Sequence, residues 1–269
     1  EAERFNLSDT EMMTTDGGIV FFSGVGDEFS YWDGKGKPLA FNSGISFMDA
    51  WNSNAHKLNL NYKYGRIRND VQENTLSQNN LPTGQINSDN VSGRSSDANR
   101  HRINTKYDWN LDSLTSLTLS LSAGQDESAV DNFTNASTRD GNDRLLNDNN
   151  RIQNSVTDKS NYTYNAYLTR KMNKPGRSLS FRFAGDGQEN DGTGFLRSTT
   201  RIYQQGAIDS TQIIDQMKEL QSQSNNLRTS LSYTEPLSSQ FNLSVSFEHT
   251  NSRSQSINNS YNKDLNDRY

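Results

Sequence analysis

Residues 114–123 read LTSLTLSLSA. From Leu117 onward every second residue is apolar and those between are Ser or Thr. Side chains alternate across a strand, so this strand has one apolar and one hydroxylated face. In a soluble protein the apolar face lies on a core and the other meets bulk water. In a barrel that spans a membrane the apolar face meets lipid and the other a wet lumen.

The same grammar recurs in pairs along the chain. Leu39, Phe41, Ile45, Phe47 and Trp51 share one parity, and after a polar turn over 52–57 come Leu58, Leu60, Tyr62 and Tyr64. Ile103, Tyr107 and Trp109 face Leu117, Leu119 and Leu121 across 110–116. Tyr162, Tyr164, Ala166 and Leu168 face Leu179, Phe181 and Phe183 across a turn holding NKPGR, where Pro then Gly supply turn chemistry. Leu227, Leu231 and Tyr233 face Phe241, Leu243, Val245 and Phe247 across TEPLSSQ. This predicts hairpins at about 39–64, 103–123, 162–183 and 227–247. Between them lie long polar segments, 65–102, 124–161 and 184–226, read as long loops, with weak alternation at their ends. Residues 1–38 read as another loop, with a short strand within GGIVFFSG (17–24); the segment 208–220 offers at most a helical turn or two, its apolar spacing being irregular.

Short turns alternating with long loops match the layout of outer-membrane barrels. Three structureless loops of this length argue against a compact soluble domain. Composition points the same way. The chain has 269 residues, 30% of them hydrophobic and 22% charged, with a mean hydropathy of -0.94. A soluble protein of this length needs a larger core than that composition fills. A barrel bathed by lipid outside and water inside does not. With 10% aromatic residues gathered into alternating runs, the chain is not written as a disordered one.

The expected fold is therefore all-β, an antiparallel transmembrane β-barrel or a segment of a larger one, with residues 1–269 belonging to one barrel domain. The predicted lipid-facing residues are Phe41, Ile45, Phe47, Leu58, Leu60, Leu117, Leu119, Leu121, Leu168, Phe181, Leu231, Leu243 and Val245. Trp51, Trp109, Tyr233 and Phe241 flank the short turns and are predicted to form an interfacial aromatic girdle. The predicted lumen-facing residues are Asn59, Asn61, Lys63, Asn104, Lys106, Asp108, Asn165, Ser180, Arg182, Ser230 and Ser244.

Other chemistry finds little purchase. There is no cysteine, and the net charge of -5 leaves no nucleic-acid footprint. His56 in a turn, His101 at a strand start and His249 after a strand match no metal spacing. The oxygen-rich stretches 140–150 and 186–192 lack calcium-loop spacing; they read as solvated loops, with calcium the alternative. The glycines of 24–38 do not form a phosphate cradle, and the sequons at Asn132 and Asn161 are expected by chance in so Asn-rich a chain. No nucleophile–base or paired-carboxylate constellation can be placed, so no enzyme and no cofactor is expected. Tyr31, Trp32 and Phe133, read as loop aromatics, are candidate ligand contacts. The N-terminus lacks the pattern of a signal peptide, and the chain reads as a piece of a longer polypeptide.

Two motifs carry a resemblance. Lys174, Gly176, Arg177, Ser178, Leu179 and Ser180 form one, and Tyr233, Thr234, Glu235, Pro236 and Leu237 the other; residues 107–122 give a matching earlier hairpin. Together, over about 39–262, they resemble the barrel portion of Bacteroidota outer-membrane proteins of the TonB-dependent receptor type. The resemblance implies a whole barrel of about 22 strands in the bacterial outer membrane. It also implies a plug domain outside this chain and coupling to the TonB system; the leading expectation is substrate uptake, with long external loops that meet ligand or a surface lipoprotein. The rivals are a structural or secretion-associated barrel without transport, and a secreted all-β adhesin or glycan-binding module.

Overall fold

The computed structural model describes residues 5–7, 10–14, 20–23, 35–82, 84–238 and 240–263. Three short strands, β1 (Phe5–Leu7), β2 (Thr10–Thr14) and β3 (Val20–Ser23), form an antiparallel meander of their own. Then come eight long strands: β4 (Lys37–Trp51), β5 (His56–Leu81), β6 (Gly84–Asn110), β7 (Thr115–Asp140), β8 (Leu145–Lys171), β9 (Ser178–Gln204), β10 (Ala207–Pro236) and β11 (Asn242–Asn262). Each pairs antiparallel with the next, in a single sheet of eight strands.

The sheet is open: β4 and β11 are its two edges and do not pair with each other. The all-β antiparallel expectation is met at this level; barrel closure is not seen. Among the described residues no hydrophobic side chain is buried. The accessible surface is 19161 Å², whereas a compact protein of this mass exposes about 11,800 Å². A single layer with two open faces accounts for the excess.

The three segments read as long loops are strands. β5 pairs with β6 from His56↔Trp109 to Leu81↔Gly84, and β7 and β9 likewise run on to the far tips. A strand of 26 residues spans about 86 Å. The reason the sequence hid them is physical. Where both faces are polar, the apolar alternation vanishes, yet the ladder between neighbouring strands still pairs the backbone. Ser, Thr, Asn and Gln opposite one another serve such a ladder. The segment 208–220 is likewise part of β10. The predicted 17–24 strand overlaps β3, and Leu39 lies inside β4 rather than opening it. Tyr31 and Trp32 lie outside the described residues.

The far turns are tight. Gln205 and Gly206 both have positive φ (52° and 83°), the geometry of a two-residue hairpin turn that follows the strand twist. At the opposite end Asn52, Ser53 and Asn54 all take positive φ (53°, 53° and 66°). Short polar side chains tolerate that region best.

Candidate membrane-facing belt and polar face

Directly paired residues of neighbouring strands share a face, so the register assigns every side chain to one side. Trp51, His56, Trp109, Leu117, Leu168, Phe181, Leu231 and Phe247 form one continuous row across all eight strands. The thirteen residues predicted to face lipid all fall on this side, in this row or within a few rows of it. The eleven predicted to face a lumen all fall on the other side. The apolar side chains therefore make one belt next to the short turns. On most strands it is about nine residues deep, the length a tilted membrane-spanning strand needs.

The belt crosses the sheet obliquely. Its centre on β4 is Ile45, and following the register from Ile45 leads through Tyr62, Ile103, Ala123, Tyr162, Gly187 and Asn225 to Arg253 on β11. The belt centre on β11 is Val245, eight residues away (253 against 245). Eight residues over seven strand steps is about 26 Å of rise across about 34 Å of sheet, an angle of about 38° between the belt and the perpendicular to the strands.

Aromatic rings edge the belt on two sides. Near the short turns His56 stacks between Trp51 (5.4 Å) and Trp109 (5.5 Å), and its Nδ1 lies 2.7 Å from the Tyr107 hydroxyl. Tyr233 sits further along the same edge, and Phe241 lies in the turn itself, where its carbonyl accepts from the Leu237 and Ser238 amides. At the upper edge Tyr64 packs on His101 (5.0 Å), and Tyr162, Tyr164 and Phe183 form a further run. Strand alternation points to the first ring alone. His56 opens β5 rather than lying in a turn, and His101 lies well inside β6 rather than at a strand start. The upper tyrosines were visible as strand residues; only the register shows that they align.

One carboxylate interrupts the belt. Asp49 lies between Phe47 and Trp51 on the same face, at edge strand β4, where its Oδ1 accepts the Ala50 amide at 2.8 Å. It stands one side chain from the girdle, at a depth where an acidic group costs least.

The polar face is a network of amides, hydroxyls and charges. Asn61 donates to Asn59 (2.7 Å), Ser122 to Asn104 (2.7 Å), Thr118 to Asp108 (2.7 Å) and Arg182 to Asn165 (2.6 Å). Lys106 pairs with Asp108 at 3.1 Å. Asp126 accepts from both Arg100 (2.9 Å) and Arg102 (2.7 Å). A Cβ at Gly124 would meet the Arg102 guanidinium at 2.2 Å, so glycine there lets Arg102 lie across β7. Farther from the belt a depression of about 330 Å³ includes Glu73, Arg94 and Arg151 in its lining.

The two halves of the family-like motif meet at the short-turn end. Glu235 accepts from Arg177 Nε (2.6 Å) and Nη2 (2.9 Å), from Lys174 Nζ (2.6 Å) and from the Tyr233 hydroxyl (2.6 Å). Gly176, at φ 83°, lies against Pro236. KPGRSLS and YTEPL are thus one clamp joining the β8–β9 and β10–β11 turns. The Arg177 and Lys174 hydrogen bonds hold the Glu235 carboxyl far below its ordinary value.

Above the belt, charged pairs cross between strands. Asp148 accepts Arg201 through both oxygens at 2.8 Å and Tyr203 at 3.1 Å, which lowers its pKa, Arg201 contributing most. Asp97 is lowered chiefly by its hydrogen bonds from Arg66. The stretch 186–192, read as a loop, lies within β9, and 140–150 is the β7–β8 turn with the start of β8. Asp140 caps its own turn, accepting the Asn142 and Arg144 amides, and Asp186 lies on the opposite face from Glu189 and Asp191. Alternation therefore keeps Asp186 apart from the other two carboxylates. Among the described residues no group of three acidic, His or Cys side chains is placed to hold a metal ion. Phe133, read as a loop aromatic, lies within β7, over Gly93.

Compared with known proteins, the chain matches no protein family and no curated protein.

Proposed function

We propose that this chain is part of the wall of a bacterial outer-membrane β-barrel of the TonB-dependent receptor type, serving substrate uptake. The belt faces lipid, the polar face lines or packs the passage, and the upper halves of the hairpins project outward toward ligand or a surface-lipoprotein partner. The observation that carries the membrane reading is the oblique belt. Strands of membrane barrels tilt by about 35–45°, and a bilayer crossing strands at that tilt solvates a band inclined as this one is. The belt covers about 900 Å² of sheet face. That exceeds the largest apolar patch of a typical soluble monomer, about 300–600 Å². Two rings of aromatics at its edges suit the two interfaces of a bilayer. The unpaired edges of β4 and β11 suit continuation of the wall, because closure removes the liability of an open edge. Uptake and TonB coupling rest on the resemblance of the clamp motif.

The test is gel mobility of the native full-length protein, unboiled against boiled, from membrane and soluble fractions. A membrane species that shifts on boiling is expected. A soluble species with no shift would overturn the reading and favour a secreted all-β binding module.

A further inference from the structure

The two faces of the sheet carry opposite charge. By the register, the polar face of the eight long strands holds twelve Lys and Arg against six Asp and Glu, a net of +6. The belt face holds eight against thirteen, a net of -5. The basic excess gathers at the upper part of the belt and just above it, around Lys63, Arg100, Arg102, Lys106 and Lys159, with Asp126 shared by two of the arginines. A basic surface of this kind attracts an acidic occupant.

The chain carries such an occupant. Residues 1–34 hold eight carboxylates and a single cation, Arg4, for a net of -7, while the whole chain is at -5. The remaining residues are therefore at +2. The residues that follow the stretch are held on the basic face. Lys35 Nζ pairs with Glu73 at 2.6 Å, and the Lys35 carbonyl accepts from Asn69 Nδ2 at 3.3 Å. Glu73 and Asn69 both belong to the polar face. Gly36, at φ 78°, is pressed so closely on β5 that a Cβ would lie 2.5 Å from the Asp70 carbonyl. From Asn69 to Lys63 along β5 is about 20 Å, and the residues between β3 and Lys35, 24–34, can span about 36 Å. Tethering raises the local concentration of the stretch to the millimolar range.

We infer that the acidic stretch 1–34 docks on the basic polar face of the eight-stranded sheet, around Arg102 and Lys63. The inference goes beyond the function proposed above. If that function holds, the stretch lies inside the wall and neutralises part of a positively charged passage.

The test uses the full-length protein in its native membrane, with a photo-crosslinking residue at Ser122 on the polar face or at Leu121 on the belt face. Trypsin cuts after Arg4 and Lys35 and nowhere between, so residues 5–35 leave as one peptide. Crosslinking of that peptide from position 122 and not from 121 is expected, falling several-fold in Arg102→Glu and unchanged in Arg66→Glu. Crosslinks from 122 only to other peptides or another protein, or none, would overturn the inference. The same samples, run unboiled and boiled, report the barrel separately, so the two readings fail distinguishably.

Discussion

The lower and upper halves of one hairpin make an instructive pair. Residues 103–123 of β6 and β7 alternate Ile103, Tyr107, Trp109 and Leu117, Leu119, Leu121 against Asn104, Lys106, Asp108 and Thr118, Ser120, Ser122. Residues 86–102 with 124–140 continue the same two strands in unbroken register, yet both faces are polar and only scattered apolar residues remain. Identical backbone pairing carries two kinds of sequence. On the membrane reading proposed above, side chains of the lower half match two different solvents, so the sequence alternates. In the upper half both faces are polar, and cross-strand polar pairs such as Arg66–Asp97 replace the pattern.

The comparison breaks most readily at Leu119. Leu119→Arg puts a charge at mid-belt, where it costs roughly 2–4 kcal/mol, a fall of roughly 30- to 1,000-fold in the folded-to-unfolded ratio. Phe133→Arg, on the same strand and face but above the belt, is expected to stay within about 0.5 kcal/mol. Ser120→Arg, at the same depth on the polar face, is expected to insert normally. Folding titrations into lipid vesicles read all three.

A smaller effect is expected at the turn clamp. Glu235→Gln removes the carboxylate that ties Lys174 and Arg177 to the β10–β11 turn. Faster proteolysis at residues 172–177 is expected, with insertion unchanged. The pH dependence has a definite sign. The carboxyl is held well below its ordinary value of 4.5, so the clamp is fully present above that value and is lost only as pH falls through the depressed one. Wild-type turns should resist proteolysis as well at pH 4.5 as at pH 7, using an acid-active protease, while Glu235→Gln is cut faster at both.

The smallest effect is expected in the upper half. Asp148→Asn removes an exposed pair with Arg201, worth less than about 1 kcal/mol. Its contribution is present above the ordinary Asp value of 3.8 and fades as pH falls through the lower folded one. Thermal midpoints of the variant and wild type should converge at strongly acid pH. A large loss at neutral pH would mean that the upper half is held by such pairs far more than the lower half is.

The same contrast explains what could be read from the sequence. The four short-turn hairpins and the face of each belt residue were legible because an apolar face and a polar face impose opposite demands on adjacent residues. Leu117 to Leu121 is written by that constraint. Residues 65–102, 124–161 and 184–226 were not legible as strands, because a sheet polar on both faces leaves no periodic trace and its Asn, Ser and Asp content imitates loops. Alignment across strands was also hidden. Tyr64 and His101 lie 37 positions apart yet pack together, and Lys174 finds Glu235 across two hairpins. Both depend on register, which local sequence does not encode.

The central claim is that one face of the lower half lies in lipid and nothing else does. The chain has no cysteine, so a nitroxide can be attached at single positions from 116 to 133 along β7 in the membrane-embedded protein. Its collisions with oxygen and with a water-soluble nickel complex report lipid against water. Oxygen-rich collisions are expected at 117, 119, 121 and 123, and oxygen-poor collisions at every even position and at odd positions from 125 upward. Equal accessibility on both parities over 117–123, or lipid exposure continuing through 129–133, would contradict it.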